Sequence, residues 1–247
     1  MTRLLGLDPK RVYYTILGMP VFIMDWIKYA KKSPAVGRFR VSFKDIYPVY
    51  YDRFESAGVA KGHYFHQDLW AAKKIYTAKP KIHIDIGSRV DGFISHLLVF
   101  RDVTVVDVRP LESEVPGLGF AKGDITALDY DDNSIESISC LHAIEHIGLG
   151  RYGDKVDYFG WERATNQLQR VLKPGGVLYL GVPIGRERVC FNAHRVFTVN
   201  TILSAFNNLT LRSFSYIDDN GDLHSDVQVE DVPELEYGCG LFEFVKK

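Results

Sequence analysis

Ile82-His83-Ile84-Asp85-Ile86 alternates apolar and polar residues and stops at Gly87, after which come Ser88-Arg89-Val90-Asp91-Gly92. The alternation predicts a short strand, and a glycine at its end lets the backbone turn sharply and approach a ligand closely. A helix is expected over 92–100. Val103-Thr104-Val105-Val106-Asp107 is a continuous apolar run of the kind found in parallel strands buried on both faces. The pattern then repeats. A weak strand is expected over 119–121 and a stronger one over 135–141. A helix over about 161–172 is closed by Lys173-Pro174-Gly175-Gly176, and a fifth strand covers 177–182. Thr198 caps a helix through Phe206, and two late strands cover 209–217 and 241–245. Upstream, 67–76 reads as a helix stopped by Lys79-Pro80. Strands alternating with helices predict an α/β domain around a parallel sheet, with ligands bound outside the carboxyl ends of the strands.

Three acids stand at successive strand ends. Asp85 closes the first strand, Asp107 closes the second 22 residues later, and Asp124 follows Gly123 after the third. An acid in the second place accepts hydrogen bonds from ribose hydroxyls. Asp124 is placed to accept from an adenine amino group. An isolated Asp at a strand end is more often a turn or cap residue, but three in succession describe a pocket for an adenosine-bearing cofactor.

From Lys81 to Lys247, about two-thirds of the chain, the sequence resembles the class I S-adenosylmethionine-dependent methyltransferases. Residues 83–88 resemble that family's first motif, 103–108 its second, and 121–128 its adenine loop. Residues 131–147 resemble its fourth-strand motif and 168–183 its fifth-strand segment. The resemblance implies a Rossmann-like, seven-stranded, mostly parallel sheet with helices on both faces and a late antiparallel hairpin strand. It implies S-adenosylmethionine as cofactor. Asp85, Gly87 and Ser88 would lie beside the methionine portion, Asp107 and Val108 at the ribose, Asp124 and Ile125 at the adenine, and Leu141 and His142 near the sulfonium. Tyr64 and Gln67, in the segment before the first strand, are candidates for closing over the cofactor; ordinary packing at a helix start is the alternative.

The first motif departs from the family pattern, because Arg89 and Asp91 occupy its second and third glycine positions. Arg89 either pairs with the methionine carboxylate or forms a structural ion pair. The loop also lacks the Gly-x-Gly-x-x-Gly that seats a pyrophosphate, which argues against the rival dehydrogenase reading. A degenerate fold serving as a binding module stays open.

Methyl transfer to a hydroxyl requires a positioned acceptor and a group to take its proton, most often His. His142, Glu145 and His146 would share one face if 141–147 turned helical. His194, in Asn192-Ala193-His194-Arg195, follows the fifth strand on the same sheet edge. These four are the catalytic candidates. His142, Glu145 and His194 are also the candidates for a divalent transition metal, although no regular ligand motif commits the chain to one. The glycine-rich 148–154 loop and residues 192–195 resemble a narrower set of bacterial sugar- and polysaccharide-associated methyltransferases. Arg151, Arg186, Arg188 and Arg195 would suit a phosphorylated acceptor if they converged. The expectation is an O-methyltransferase of EC class 2.1.1 acting on a small polar acceptor, a sugar or nucleotide-linked sugar for surface glycan synthesis being favoured.

The 247 residues carry 30 Lys+Arg against 31 Asp+Glu, net −1, with no basic tract, so nucleic acid is not an expected partner. Three cysteines without CxxC spacing point to a reducing compartment and a cytoplasmic location. Residues 12–27 are mostly apolar but interrupted by Thr15, Gly18, Pro20 and Asp25, so membrane attachment is not expected. Residues 1–60 read as a helical, aromatic-rich extension or lid and 61–247 as the catalytic domain, and a homo-oligomer is left open.

Overall fold

A computed structural model describes residues 8–33 and 38–247. Its main sheet is built from β1 (Ile84–Ile86), β2 (Val103–Asp107), β3 (Leu118–Lys122), β4 (Ile135–Leu141), β5 (Leu172–Ile184), β8 (Leu209–Ile217), β9 (Leu223–His224) and β10 (Gly238–Lys246). The order is β3-β2-β1-β4-β5-β10-β8-β9. β3, β2, β1, β4 and β5 pair in parallel, and β10 is antiparallel to both β5 and β8. β6 (Arg188–Cys190) and β7 (His194–Val196) form a separate hairpin.

Alternating side chains divide the core between the two sheet faces. Leu178 and Leu180 of β5 join the cluster that holds Ala164 and Leu168 of α4 (Gly160–Val171) and Ile202 of α5 (Val199–Ala205). Tyr179, between them, joins the cluster that holds Trp70, Ala71 and Ile75 of α2 (His63–Ala78) and Leu97 of α3 (Ser95–Leu98). Helices thus cover both faces, and the reversal of strand order between β1 and β4 leaves a crevice at their carboxyl ends.

α2 matters for the crevice because its first turn carries Tyr64. Lys74, in its fourth turn, anchors it to the sheet: Nζ donates to Glu243 Oε2 at 3.0 Å and Ser213 Oγ at 2.9 Å. Ser213 Oγ and Arg212 Nη1 donate to the same carboxylate. Burial raises the Glu243 carboxyl, but these donors outweigh it and hold the group below its ordinary value. Glu243→Ala leaves the Lys74 ammonium without its main partner. It should lower unfolding stability by about 2 kcal/mol, read as a shift of the denaturant midpoint. An unchanged midpoint would show the anchor to be idle.

Several elements differ from the sequence expectation. The sheet has eight strands, not seven, because Leu223–His224 adds a short edge strand to β8. β1 begins at Ile84, with Ile82 exposed. The helix expected over 92–100 starts as a five-residue π-turn, Val90–Ile94, in which Gly92 leaves helical geometry, and it becomes α-helical only at Ser95. α4 stops at Val171 and β5 begins at once, so Lys173-Pro174-Gly175-Gly176 lies within the strand, where Gly175 takes a φ of +74°.

The chain divides into two compact units, Met1–Val59 and Ala60–Lys247. In the first, α1 (Pro9–Lys32) starts at Asp8, whose side chain accepts from Lys10 N, and runs through Pro20. A returning segment packs on it: Phe54 stacks on Tyr14, Tyr50 meets Phe22 edge-on, and Phe43 lies against Trp26. Gly18 is required there, since a Cβ would fall 1.9 Å from the Tyr50 carbonyl oxygen. No helix of the described residues is long and apolar enough to cross a membrane.

Candidate cofactor site

Gly87 ends β1 with φ +75° and donates its N–H to Val106 O, locking the loop to β2. A Cβ here would sit 3.1 Å from that of Ala143, so the position needs glycine for both its backbone and its space. Beneath the loop, Asp85 is fully buried. It accepts from Ser88 N at 2.9 Å, Ser88 Oγ at 2.7 Å and Ser139 Oγ at 2.5 Å. Ser139 Oγ also bonds His83 Nε2 at 3.0 Å, and His83 Nδ1 bonds Ser137 Oγ at 2.8 Å. This chain of polar groups ties β1 to β4 and sets the turn from below. Asp85 and Ser88 therefore shape the site from behind and do not line it.

Burial pushes the Asp85 carboxyl up to about 6, and burial together with the Arg101 charge pushes His83 down to about 3. The two act oppositely on stability. Below pH 6.5 the unfolded chain takes a proton that folded His83 refuses, so His83 costs stability as pH falls. Folded Asp85 takes its proton earlier than the unfolded chain does, so it adds stability over about pH 6 to 4. His83→Gln removes only the first effect. Relative to the parent, the variant should gain about 1 kcal/mol per pH unit between pH 6.5 and 4 in unfolding experiments. Parallel curves would contradict this.

A cavity of about 330 Å³ opens at the ends of β1, β2 and β4. Of the expected cofactor residues, Tyr64, Gly87, Arg89, Asp107, Val108, Ile125, Leu141 and His142 line it. Gln67 and Asp124 do not. Gln67 is buried against β5, where a Cβ at Gly181 would lie 2.6 Å from its Oε1, and its Nε2 donates to Asp68 Oδ1. The Asp124 carboxylate caps the turn Ile125–Ala127 by accepting from Thr126 N and Oγ1, leaving Gly123 and Ile125 as wall. Arg89 pairs with Asp91 at 2.8 Å, both side chains exposed, and reaches over the Tyr64 ring.

Asp107 is clamped by Arg109, which donates from Nε at 3.0 Å, Nη2 at 2.7 Å and its backbone N at 2.8 Å. Burial opposes the charge on Asp107, but these bonds hold its carboxyl below the ordinary value. Arg109 in turn lies over the Tyr152 ring, 4.6 Å from its centroid. Arg109 and Tyr152 both line the cavity and were not singled out by the sequence; the only hint was an arginine two residues beyond a strand-end Asp.

The condition that 141–147 turn helical is not met. His142 has φ +52°, and only Ile144–His146 turns, as a 3-10 helix. The turn still brings His142 Nδ1 to 2.7 Å from Glu145 Oε1 and His146 Nε2 to 3.7 Å from the same oxygen. Burial disfavours the His142 imidazolium, but the neighbouring Cys239 sulfur and the Glu145 carboxylate raise its pKa above the ordinary histidine value. His146 lines the cavity and donates through Nδ1 to Ala193 O at 2.7 Å, which leaves Nε2 as its basic nitrogen. Burial, only partly offset by Glu145, lowers His146 and keeps it neutral at pH 7.

His194 lies close enough to feel the charges of His146 and Glu145, but it does not line the cavity. Residues alternate sides along β7: Arg195 points inward, and His194 packs on the Tyr237 ring outside the cavity wall. Nor do the four arginines converge. Arg195 is buried and donates to Ile147 O at 2.7 Å, supporting the 144–146 turn. Arg186 and Arg188 pair with Glu236. Only Arg151 reaches the cavity wall, where its Nη1 also donates to Ala193 O. Among the described residues, the metal-capable side chains that come together are His63, His142 and Cys239, not His142, Glu145 and His194.

Residues 125–229 match a family profile described as Caenorhabditis protein of unknown function, DUF268. No curated protein matches the sequence significantly. Solved structures do share the fold. The N-methyltransferase NodS from Bradyrhizobium japonicum, in complex with S-adenosyl-l-homocysteine, superposes with a TM-score of 0.50 at 15% identity, over 75% of this chain and 88% of that one. YcgJ from Bacillus subtilis gives 0.51 at 14%, over 74% and 98%. The [4+2]-cyclase SpnF gives 0.52 at 13%, over 93% and 95%. Strand order, the antiparallel β10 and these likenesses lead to one conclusion: the chain has the Rossmann-like fold of the class I S-adenosylmethionine-dependent methyltransferases.

Proposed function

We propose that this protein is an S-adenosylmethionine-dependent O-methyltransferase acting on a small polar acceptor, with a sugar or nucleotide-linked sugar of surface glycan synthesis as the favoured class. The observation that carries the cofactor reading is the cavity at the ends of β1, β2 and β4, with Gly87 at one side and the clamped Asp107 carboxylate at the other. Ribose hydroxyls would donate to Asp107, the adenine would pack on Ile125 and Val108, and the methionine end would lie along Gly87 and Leu141. His146 is the group best placed to take the acceptor's proton. Its Nε2 is free, and the imidazolium formed would face Glu145 Oε1. Arg195, holding the turn from behind, is a positioning residue.

The acceptor class rests on the resemblance of the 148–154 loop to sugar-associated enzymes and on Arg151 in the wall, whose guanidinium suits a phosphate. Another phosphorylated small molecule is the nearest alternative. A non-catalytic binding module is the second reading, favoured by Arg89 and Asp91 at glycine positions and by a fold shared with a cyclase. A cofactor-consumption screen against sugar nucleotides, phosphorylated sugars and free sugars separates them. Turnover with a sugar nucleotide is the expected result. Turnover only with other phosphorylated compounds moves the acceptor class, and cofactor binding without turnover on any acceptor supports the binding module.

A further inference from the structure

Three side chains from distant parts of the chain meet beside the cofactor cavity: His63 at the first position of α2, His142 after β4, and Cys239 at the start of β10. One ligand-capable atom from each lies within 4.8 Å of the other two. We infer that His63, His142 and Cys239 form a binding site for a late divalent transition ion, Zn2+ above all, that ties the first turn of α2 to the sheet. The inference does not depend on methyl transfer being the reaction.

The hydrogen bonds around the two imidazoles are those that metal-binding histidines require. Such a histidine gives one ring N–H to a carboxylate or backbone carbonyl, which fixes the tautomer and leaves the other nitrogen's lone pair for the ion. His142 Nδ1 is engaged by Glu145 Oε1 at 2.7 Å, and the His142 side chain is 5% exposed with its Nε2 lacking a hydrogen-bond partner of normal geometry among the described residues. His63 Nε2 is engaged by the Tyr237 carbonyl at 3.2 Å, which leaves Nδ1 free. Cys239 is fully buried, and its sulfur makes a long 3.8 Å contact to Gly240 O and neighbours the His142 ring. A buried orphan nitrogen is costly, so its retention calls for a partner. Two imidazoles and a thiol are a donor set that favours Zn2+ over Mg2+ or Ca2+, and three protein ligands leave a fourth tetrahedral position open.

Ligand atoms around tetrahedral Zn2+ stand about 3.5 Å apart, so the three groups must close by about 1 Å. The imidazole rings now stack, with centroids 5.3 Å apart and planes 6° from parallel, and one ion cannot lie in both planes. Rotation of the half-exposed His63 ring satisfies both conditions. On binding, the Cys239 thiol and the His142 Nε2 would each release the proton they carry to solvent. Because Tyr64 follows His63 directly and lines the cavity, an ion here would fix that wall.

The test uses the full chain, stripped of metal by chelator dialysis and titrated with Co2+ and then Zn2+. The expected result is one ion per chain and a near-ultraviolet sulfur-to-cobalt charge-transfer band that Zn2+ bleaches, with a raised melting temperature. Cys239→Ser should abolish the band, His63→Gln should weaken binding at least about tenfold, and Cys190→Ser, at a half-buried cysteine outside the cluster, should change neither. Should Cys239→Ser fail to fold, His63→Gln alone decides by its affinity. Absence of the band in the parent protein, substoichiometric binding, or undiminished affinity in His63→Gln would each overturn the assignment.

Discussion

Asp107→Ala should weaken binding of S-adenosylhomocysteine by about tenfold to a hundredfold while the protein keeps its fold. Asp107 ends β2 with its carboxylate on the cavity wall, and three donors from Arg109 fix its direction. Those donors keep it ionised well into acid, so both oxygens retain lone pairs for ribose hydroxyls. Hydrogen bonds to a charged acceptor are each worth about 1.5–3 kcal/mol, the equivalent of that loss in affinity. Asp107→Asn keeps the shape, removes the charge and should fall between the two. The loss should appear in calorimetric Kd and in KM for the cofactor, with kcat much less affected, because the contact is made equally in the ground and transition states. Equal Kd values for parent and Asp107→Ala would remove the ribose from this position.

His146→Ala should lower kcat by about a hundredfold to ten-thousandfold, the usual range for loss of a general base, with the S-adenosylhomocysteine Kd nearly unchanged. The ring is placed for that role by Ala193 O, which holds Nδ1 and leaves Nε2 as the basic nitrogen, 3.7 Å from Glu145 Oε1. A merely structural histidine would give a different pattern, with reduced melting temperature and weakened cofactor binding alongside the rate loss. Arg195→Lys provides the companion experiment. It removes the forked donor from Ile147 O and so loosens the turn, and it should lower kcat less than His146→Ala does. Full activity of His146→Ala would return the proton-transfer role to another group or to water.

Much of the architecture could be read from periodicity. Val103–Asp107 is apolar enough to demand burial on both faces, and Ile135, Ile138, Cys140 and Leu141 mark a further strand despite Glu136, Ser137 and Ser139, which is why these strands are legible. The errors have local causes. His142 sits at φ +52°, a conformation that costs a non-glycine residue energy and that nothing in its neighbours signals, so 141–147 does not turn helical as a whole. His194 and Arg195 are adjacent, and only the hairpin's twist decides which faces in; the arginine took the inner place because two backbone carbonyls there needed a donor. Asp124 is read as an adenine acceptor; Thr126 two residues on takes its Oδ1 in a local cap, and the residue does not line the cavity. The His63–His142–Cys239 group joins residues 79 and 97 positions apart, a proximity created by the sheet order and invisible to any short motif.

Isothermal titration of the purified chain with S-adenosylhomocysteine tests the cofactor site most directly, with NAD titrated in parallel. One saturable site for S-adenosylhomocysteine, weakened by Asp107→Ala, and no heat from NAD is the result expected of this cavity. No binding of S-adenosylhomocysteine up to about 1 mM, or saturable binding of NAD instead, would contradict it.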